Sequence, residues 1–255
     1  MPQATQETQN SLLKQSKQQY IQFLSLFPKI AKSIIWLRRI VITVLLLDIG
    51  FMIAIWPDWK WYADGPFIKS QFIQDYERKS WQNRQIPKLR WQPVEWKKIP
   101  NTMINAVLAA EDSRFYRHAG IDTEAFKKAM QYNWEKKRFI YGASTISQQT
   151  VKNLFLSSSR NPLRKWHELL LTFAMEQNLK KSRILNIYLN IAEFGPGIFG
   201  VEAASNYYWG IPASKLNEIQ AVELAATLPA PSSHNPKQRS AFFMKQRSKI
   251  LKNIR

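Results

Sequence analysis

The sequence predicts a mainly α chain with one N-terminal transmembrane helix. Three observations carry this. A single long apolar run, Ile40–Trp56, lies near the N-terminus. Apolar residues recur at helical spacing from Thr102 onward. Capping residues and helix breakers bracket those periodic segments at the places where helices start and stop.

The apolar run reads IVITVLLLDIGFMIAIW. Its 17 residues sit at the short end of a spanning helix, which needs about 20. Ile34–Leu37 extend it across Arg38 and Arg39, so the anchor is expected over 34–56. Trp36 and Trp56 fit the two interfaces, and Asp48 at mid-depth needs a partner or water. A cleaved signal peptide fits less well, because the run exceeds the usual apolar region and no small-x-small site follows it. A buried core helix is the plainer alternative.

Lys14, Lys17, Lys29, Lys32, Arg38 and Arg39 precede the run, opposed only by Glu7. The positive-inside rule then puts residues 1–33 in the cytoplasm and everything after the run outside. This bears on the charge. Lys and Arg total 37 against 18 Asp and Glu, a net +19, which calls for an anionic partner. An extracytoplasmic domain seldom meets nucleic acid, so a membrane surface or a phosphate-bearing substrate is favoured. The absence of Cys excludes disulfides, Cys-ligated zinc and thiol catalysis.

Residues 57–100 carry five prolines among aromatic and basic residues and read as an extended, membrane-proximal connector with short strands or turns. Residues 101–240 form the expected main domain. Ile104, Val107, Leu108, Glu111 and Phe115 follow helical spacing. Asn161 and Pro162 open a helix over 163–180. Ser182 opens another, with Ile184, Ile187, Tyr188 and Ile191 on one face, and FGPGIFG (194–200) breaks it. A short helix runs from Val201 to near Gly210. The next starts at Asn217, with Gln220 completing a capping box, and stops before Pro229. Residues 241–255 read as a basic tail.

Three segments are suited to chemistry. In AAEDSRFYRHAGID (109–122), Glu111 projects from an apolar face. Desolvation raises a carboxyl pKa and makes it a useful proton acceptor near neutral pH. The plainer reading is a Glu that caps or pairs at a packed helix end. In GASTISQQTVKNLF (142–155), a cap at Ser144 or Thr145 would leave free N–H groups at a helix start, an anion seat. Lys152 adds a point charge suited to phosphate. An ordinary polar helix start explains the same residues. In RNPLRKWHELLL (160–171), Arg164 and Glu168 are four apart. They form either a surface ion pair or part of a diphosphate cradle. His118, His167 and His234 form no HExxH pattern, and no GxSxG, P-loop or GxGxxG occurs.

Taken in order, AAEDSRFYRHAGID, GASTISQQTVKNLF, RKWHE, ILNIYLNIAEFGPGIFGVEAA with YYWG, and VELAATLPAPSSHNP resemble glycosyltransferase family fifty-one, the peptidoglycan glycosyltransferases. IAEFGPGIFGVEAA is most similar to the monofunctional members, which have one membrane helix and no transpeptidase. The only SxxK, Ser11–Lys14, falls in the expected cytoplasmic tail. The resemblance implies a lysozyme-like, mostly helical glycosyltransferase domain at the bacterial inner membrane, single-pass, with its catalytic part periplasmic. It implies Glu111 and Glu168 as catalytic acids, with Glu111 the general base. It implies substrate contacts at Asp112, Phe115, His118, Thr145, Gln148, Gln149, Lys152, Asn153, Arg164 and Lys165. Residues 123–141 would be a membrane-touching segment. Ala143, Ser147 and Trp209 depart from the common Gly, Thr and Phe.

The implied reaction polymerises lipid II, with the growing lipid-linked glycan as donor and release of undecaprenyl diphosphate. No cofactor is required by the sequence; a divalent cation, Mg or Mn, near Glu168 is compatible with it. Further expected partners are proteins of a cell-wall synthesis complex. Two rivals remain open here. One is a glycan-cleaving enzyme on the same scaffold. The other is a membrane-tethered basic module that binds nucleic acid or scaffolds wall synthesis.

Overall fold

The computed structural model describes residues 3–137, 142, 144–157, 159 and 161–254. The chain forms two compact units, residues 1–56 and 57–255.

The first unit is one helix, α1 (Gln3–Ala54), with Pro28 inside it. Among the described residues no helix is long and apolar enough to cross a membrane. The expected 34–56 span is therefore not met. The reason is physical: Arg38 and Arg39 close the apolar part at one end and the helix stops at Ala54. That leaves Ile40–Ala54, about 22 Å at 1.5 Å per residue, against a hydrocarbon core of about 30 Å. Asp48 interrupts even that stretch.

The second unit is mainly α, as expected. Residues 57–100 depart from the extended reading, since they hold α2 (Trp59–Asp64) and α3 (Gln71–Gln82). Their prolines flank the helices instead of interrupting them. Pro57 precedes the Asp58 cap, whose carboxylate accepts from Trp61 N–H, and Pro66 follows the Gly65 cap. Buried Trp59 packs edge-on against Phe155 at 5.8 Å. The Arg183 guanidinium donates to the carbonyls of Tyr62 and Gly65, closing the end of α2.

Two helix layers build the core. α4 (Asn101–Glu111) packs on α10 (Glu218–Thr227) and α11 (Ala241–Ile254). α6 (Ile146–Phe155) packs on α7 (Pro162–Asn178) and α8 (Lys181–Ile191). α5 (Thr123–Glu135) follows the turn after α4. The region read as a basic tail is thus helical, with Phe243 and Ile250 buried. Arg239 and Arg247 hold it to the buried Glu223 at 3.2 and 3.1 Å.

Asn161 caps α7 through Arg164 N–H, and Pro162 occupies its first turn, as the sequence indicates. Asn217 and Gln220 form the capping box of α10. Ser182 does not cap α8, which starts one residue earlier with Lys180 as cap residue. The FGPGIFG segment breaks the helix but also forms strands. β2 (Glu193–Gly195) pairs antiparallel with β3 (Ile198–Phe199), and β1 (Arg90–Trp91) pairs parallel with β3. Gly197, at φ +75°, turns the hairpin, and a Cβ there would fall 2.7 Å from the Tyr76 hydroxyl. α9 (Val201–Trp209) ends on Gly210 in the left-handed conformation.

Candidate active site

Glu111 is the last residue of α4, and the apolar positions before it, Ile104 and Val107, are buried. The periodicity that places those residues in the core carries Glu111 to its edge. Burial pushes its carboxyl above the ordinary value. A hydrogen bond from Gln149 and the positive charge of Lys152 pull the other way, and Asp112 adds to the rise. Gln149 Nε2 donates to Glu111 at 2.7 Å, while its Oε1 accepts from the Tyr188 hydroxyl at 3.1 Å. The Tyr188 hydroxyl is fully buried on α8 and held well above its usual value by desolvation. A chain of hydrogen bonds therefore runs Tyr188, Gln149, Glu111, and it fixes the carboxylate's direction. Sequence reading assigned Tyr188 to the core only, because its α8 spacing is that of a packed residue and nothing local points to a partner 39 positions away.

Gln149 and Lys152 lie one turn apart on α6, on the same side. Burial depresses the Lys152 ammonium from its ordinary value. Glu168 and Glu111 oppose this, and Arg164 and Lys165 reinforce it. Lys152 Nζ also lies 5.9 Å from the Phe72 ring centre. These five charges share one field, although they come from three helices. Asn153 is half-buried beside Lys152.

Glu168 is buried on α7. Arg164 donates to one carboxylate oxygen at 2.7 Å and Lys165 to the other. The pair is not a surface ion pair: the Glu168 side chain is 3% exposed and Arg164 15%. Each oxygen of Glu168 thus accepts from one cation. Elsewhere, Asp112, His118 and Asp122 bring ligand-type atoms within 4.8 Å of one another. Their carboxylates and His118 Nε2 are engaged in protein contacts, as follows, while the buried His118 Nδ1 has no hydrogen-bond partner among the described residues.

Asp112 accepts from His118 Nε2 at 3.0 Å and from Ile146 N–H at 3.0 Å. Asp122 caps α5 through Ala125 N–H. Ile146 is the first residue of α6, and Thr145 and Gln148 close its capping box. The helix start that the sequence offered as an open anion seat thus already holds an anion, the Asp112 carboxylate. This corrects that expectation, and the reason is electrostatic: a carboxylate at a helix N-terminus satisfies its N–H groups and its dipole.

Thr145 also donates to the Gly120 carbonyl at 2.6 Å. Gly120 sits at φ +92°, where a Cβ would meet Thr172 at 2.7 Å. Phe115 is buried, with Lys181 Nζ 4.3 Å from its ring centre. Asp112, Phe115, His118, Thr145 and Gln148 are thus drawn into bracing the loop 112–122 against α6 and α7. Glu111, Gln149, Lys152, Arg164, Lys165 and Glu168 are linked instead by hydrogen bonds and by mutual electrostatic influence. A cavity of about 540 Å³ opens beside Glu111; Asp112, Ser144, Thr145, Lys249 and Asn253 line it, whereas Lys152, Arg164, Lys165 and Glu168 do not. Lys249 and Asn253 come from α11, in the stretch whose sequence reads as a basic tail, where polar side chains among many charges carry no signal of a site.

One consequence is measurable. The Gln149 hydrogen bond stabilises ionised Glu111, so its removal raises the carboxyl further. A base must be deprotonated to act, so activity falls as pH drops through its pKa. In Gln149→Leu the acid limb of the activity profile is expected at higher pH than in the parent. An unmoved limb would show that Gln149 does not tune Glu111.

The transglycosylase family model matches residues 79–255. Proteins named biosynthetic peptidoglycan transglycosylase are similar over most of the chain. That of Bordetella avium is 40% identical over 85% of this chain and 92% of its own length. That of Nitrosomonas eutropha is 42% identical over 72% and 76%. That of Methylobacillus flagellatus is 37% identical over 86% and 95%. With the matched region running from α3 through α11, and containing Glu111 and the charged residues that act on it, the chain belongs to the transglycosylase family, beside the biosynthetic peptidoglycan transglycosylases.

Proposed function

We propose that the chain is a glycosyltransferase of cell-wall synthesis that polymerises lipid II into β-1,4-linked glycan and releases undecaprenyl diphosphate. The observation that carries this reading is the desolvated Glu111 carboxyl in one electrostatic field with Lys152, Arg164, Lys165 and Glu168. A base next to a cationic cluster suits transfer from a donor whose leaving group is a diphosphate.

In this mechanism Glu111 takes the proton from the acceptor's 4-hydroxyl. That oxygen attacks the donor's anomeric carbon with inversion, and the bond to the lipid diphosphate breaks. Gln149 holds the base in line. Lys152, Arg164 and Lys165 offset the charge that grows on the departing diphosphate, so the leaving group needs no strong acid. Glu168 holds two of those cations in place. Cationic side chains supply the neutralisation. A lysozyme-like arrangement of the helical unit belongs to the same reading.

The rival, a glycan-cleaving enzyme, would use paired carboxylates without a diphosphate cradle. Incubation with lipid II and, separately, with finished wall sacculi separates the two. Polymer from lipid II with intact sacculi is expected; release of fragments from sacculi without polymer would overturn the reading.

The location follows from the substrate. A lipid-linked sugar is met at a membrane, here the bacterial inner membrane within the cell envelope. The apolar stretch is short for a span, so a single pass needs local thinning of the bilayer with Arg38 and Arg39 reaching to the interface; the cations before Ile40 then orient it with the N-terminus cytoplasmic and the catalytic unit periplasmic. A reporter active only outside the cytoplasm, fused to the C-terminus of the full chain, is expected to be active. A silent reporter on a stably made fusion would reverse this topology.

A further inference from the structure

Ahead of the apolar run α1 carries an apolar stripe along one side, with Ile21, Ile35 and Trp36 exposed off that stripe. Phe23, Phe27, Ile30, Ile34 and Leu37 follow one another in steps of four, three, four and three. At 100° per residue they fall within an arc of about 80°. Each is more than half exposed. Lys14, Gln18, Ser25 and Lys32 project on the opposite side and are exposed. No acidic residue occurs between Glu7 and Asp48, while six Lys and Arg do. Arg39 lies over the Trp36 ring at 5.9 Å, an aromatic–cation pair of the kind found where headgroups meet acyl chains.

We propose that α1 from about Phe23 to Leu37 lies in the plane of an anionic lipid surface. Its apolar stripe enters the acyl boundary, and its lysines sit among the lipid phosphates. A stripe with this spacing could also seat a second copy of the same helix. Charge decides between them. Side-by-side helices are matched by opposite charges flanking the seam. Here every flanking charge is positive, so two copies repel, whereas anionic headgroups complement them. The inference concerns only the first unit and stands whether or not the catalytic reading holds.

The chain has no Cys, so single cysteines introduced into the full-length protein report one site each. Ile30→Cys and Ile34→Cys on the stripe, and Gln18→Cys and Ser25→Cys opposite, are labelled with an environment-sensitive fluorophore. Each protein is reconstituted into vesicles of phosphatidylcholine alone or with phosphatidylglycerol, and an aqueous quencher is added. With phosphatidylglycerol present, quenching at positions 30 and 34 is expected to be about fivefold slower than at 18 and 25. That difference should shrink in neutral vesicles and at high salt. The triple variant Lys14→Gln, Lys17→Gln, Lys32→Gln should behave in anionic vesicles as the parent does in neutral ones. Equal quenching on both faces in anionic vesicles overturns the proposal. So does protection at 30 and 34 that is independent of lipid charge and accompanied by disulfide-linked dimers of unlabelled Ile34→Cys, because a second copy would then cover the stripe.

Discussion

Glu111→Gln is expected to lower glycan polymerisation by about 10²–10⁴-fold, the range that a positioned general base supplies. The substitution keeps the shape of the side chain and its place beside Gln149, so the loss reports on proton transfer. It should also change stability in a definite direction. The folded-state pKa of Glu111 is raised, so the native protein binds this proton more tightly than the unfolded chain does. Stability then falls as pH rises from the ordinary carboxylate range through the raised value. Glutamine carries no such liability. The variant should be more stable than the parent above that window and equal to it below about pH 4. Thermal melts across pH, alongside the lipid II assay, check both. Near-parent polymerisation would remove Glu111 from the base role.

Glu168→Ala is expected to damage both fold and rate. It leaves the partly buried Arg164 without its counter-charge, and breaking such a pair typically costs about 3–5 kcal/mol. The lower end applies, because Lys165 is 42% exposed and can turn to water. For a unit of this size a loss of about 3 kcal/mol lowers Tm by roughly 6–12 °C. Measured well below that Tm, polymerisation should still fall about 10²-fold, since Arg164 and Lys165 lose the group that fixes their direction. Glu168→Gln separates the effects: it restores packing and a hydrogen-bond acceptor but not charge. If Glu168→Ala melts like the parent, the buried pair contributes nothing to the fold. If it polymerises at the parent rate, the carboxylate does not organise the cations.

Local chemistry made much of this legible in the sequence. Asn161 before Pro162 marks the start of α7 because side-chain cap and fixed φ act within one turn. Asn217 with Gln220 does the same for α10. The apolar spacing of Ile104 and Val107 aims Glu111 at the edge of the core. Tertiary contacts were not legible. The Asp112 carboxylate on Ile146 N–H and the Thr145 hydroxyl on the Gly120 carbonyl join residues 34 and 25 positions apart, which no local spacing indicates. The prolines of 57–100 suggested an extended chain, because spacing alone does not say that they stand outside α2 and α3. The helical nature of 241–255 rests on burial of Phe243 and Ile250, two residues in a stretch dominated by charge.

The Asp112 carboxylate seated on Ile146 N–H joins chain segments 34 residues apart. Such a latch makes the two segments open as one. Deuterium uptake at the Ile146 amide should therefore follow release of the loop 112–120, not fraying of the helix that Ile146 begins, and the two regions would exchange as a single cooperative unit.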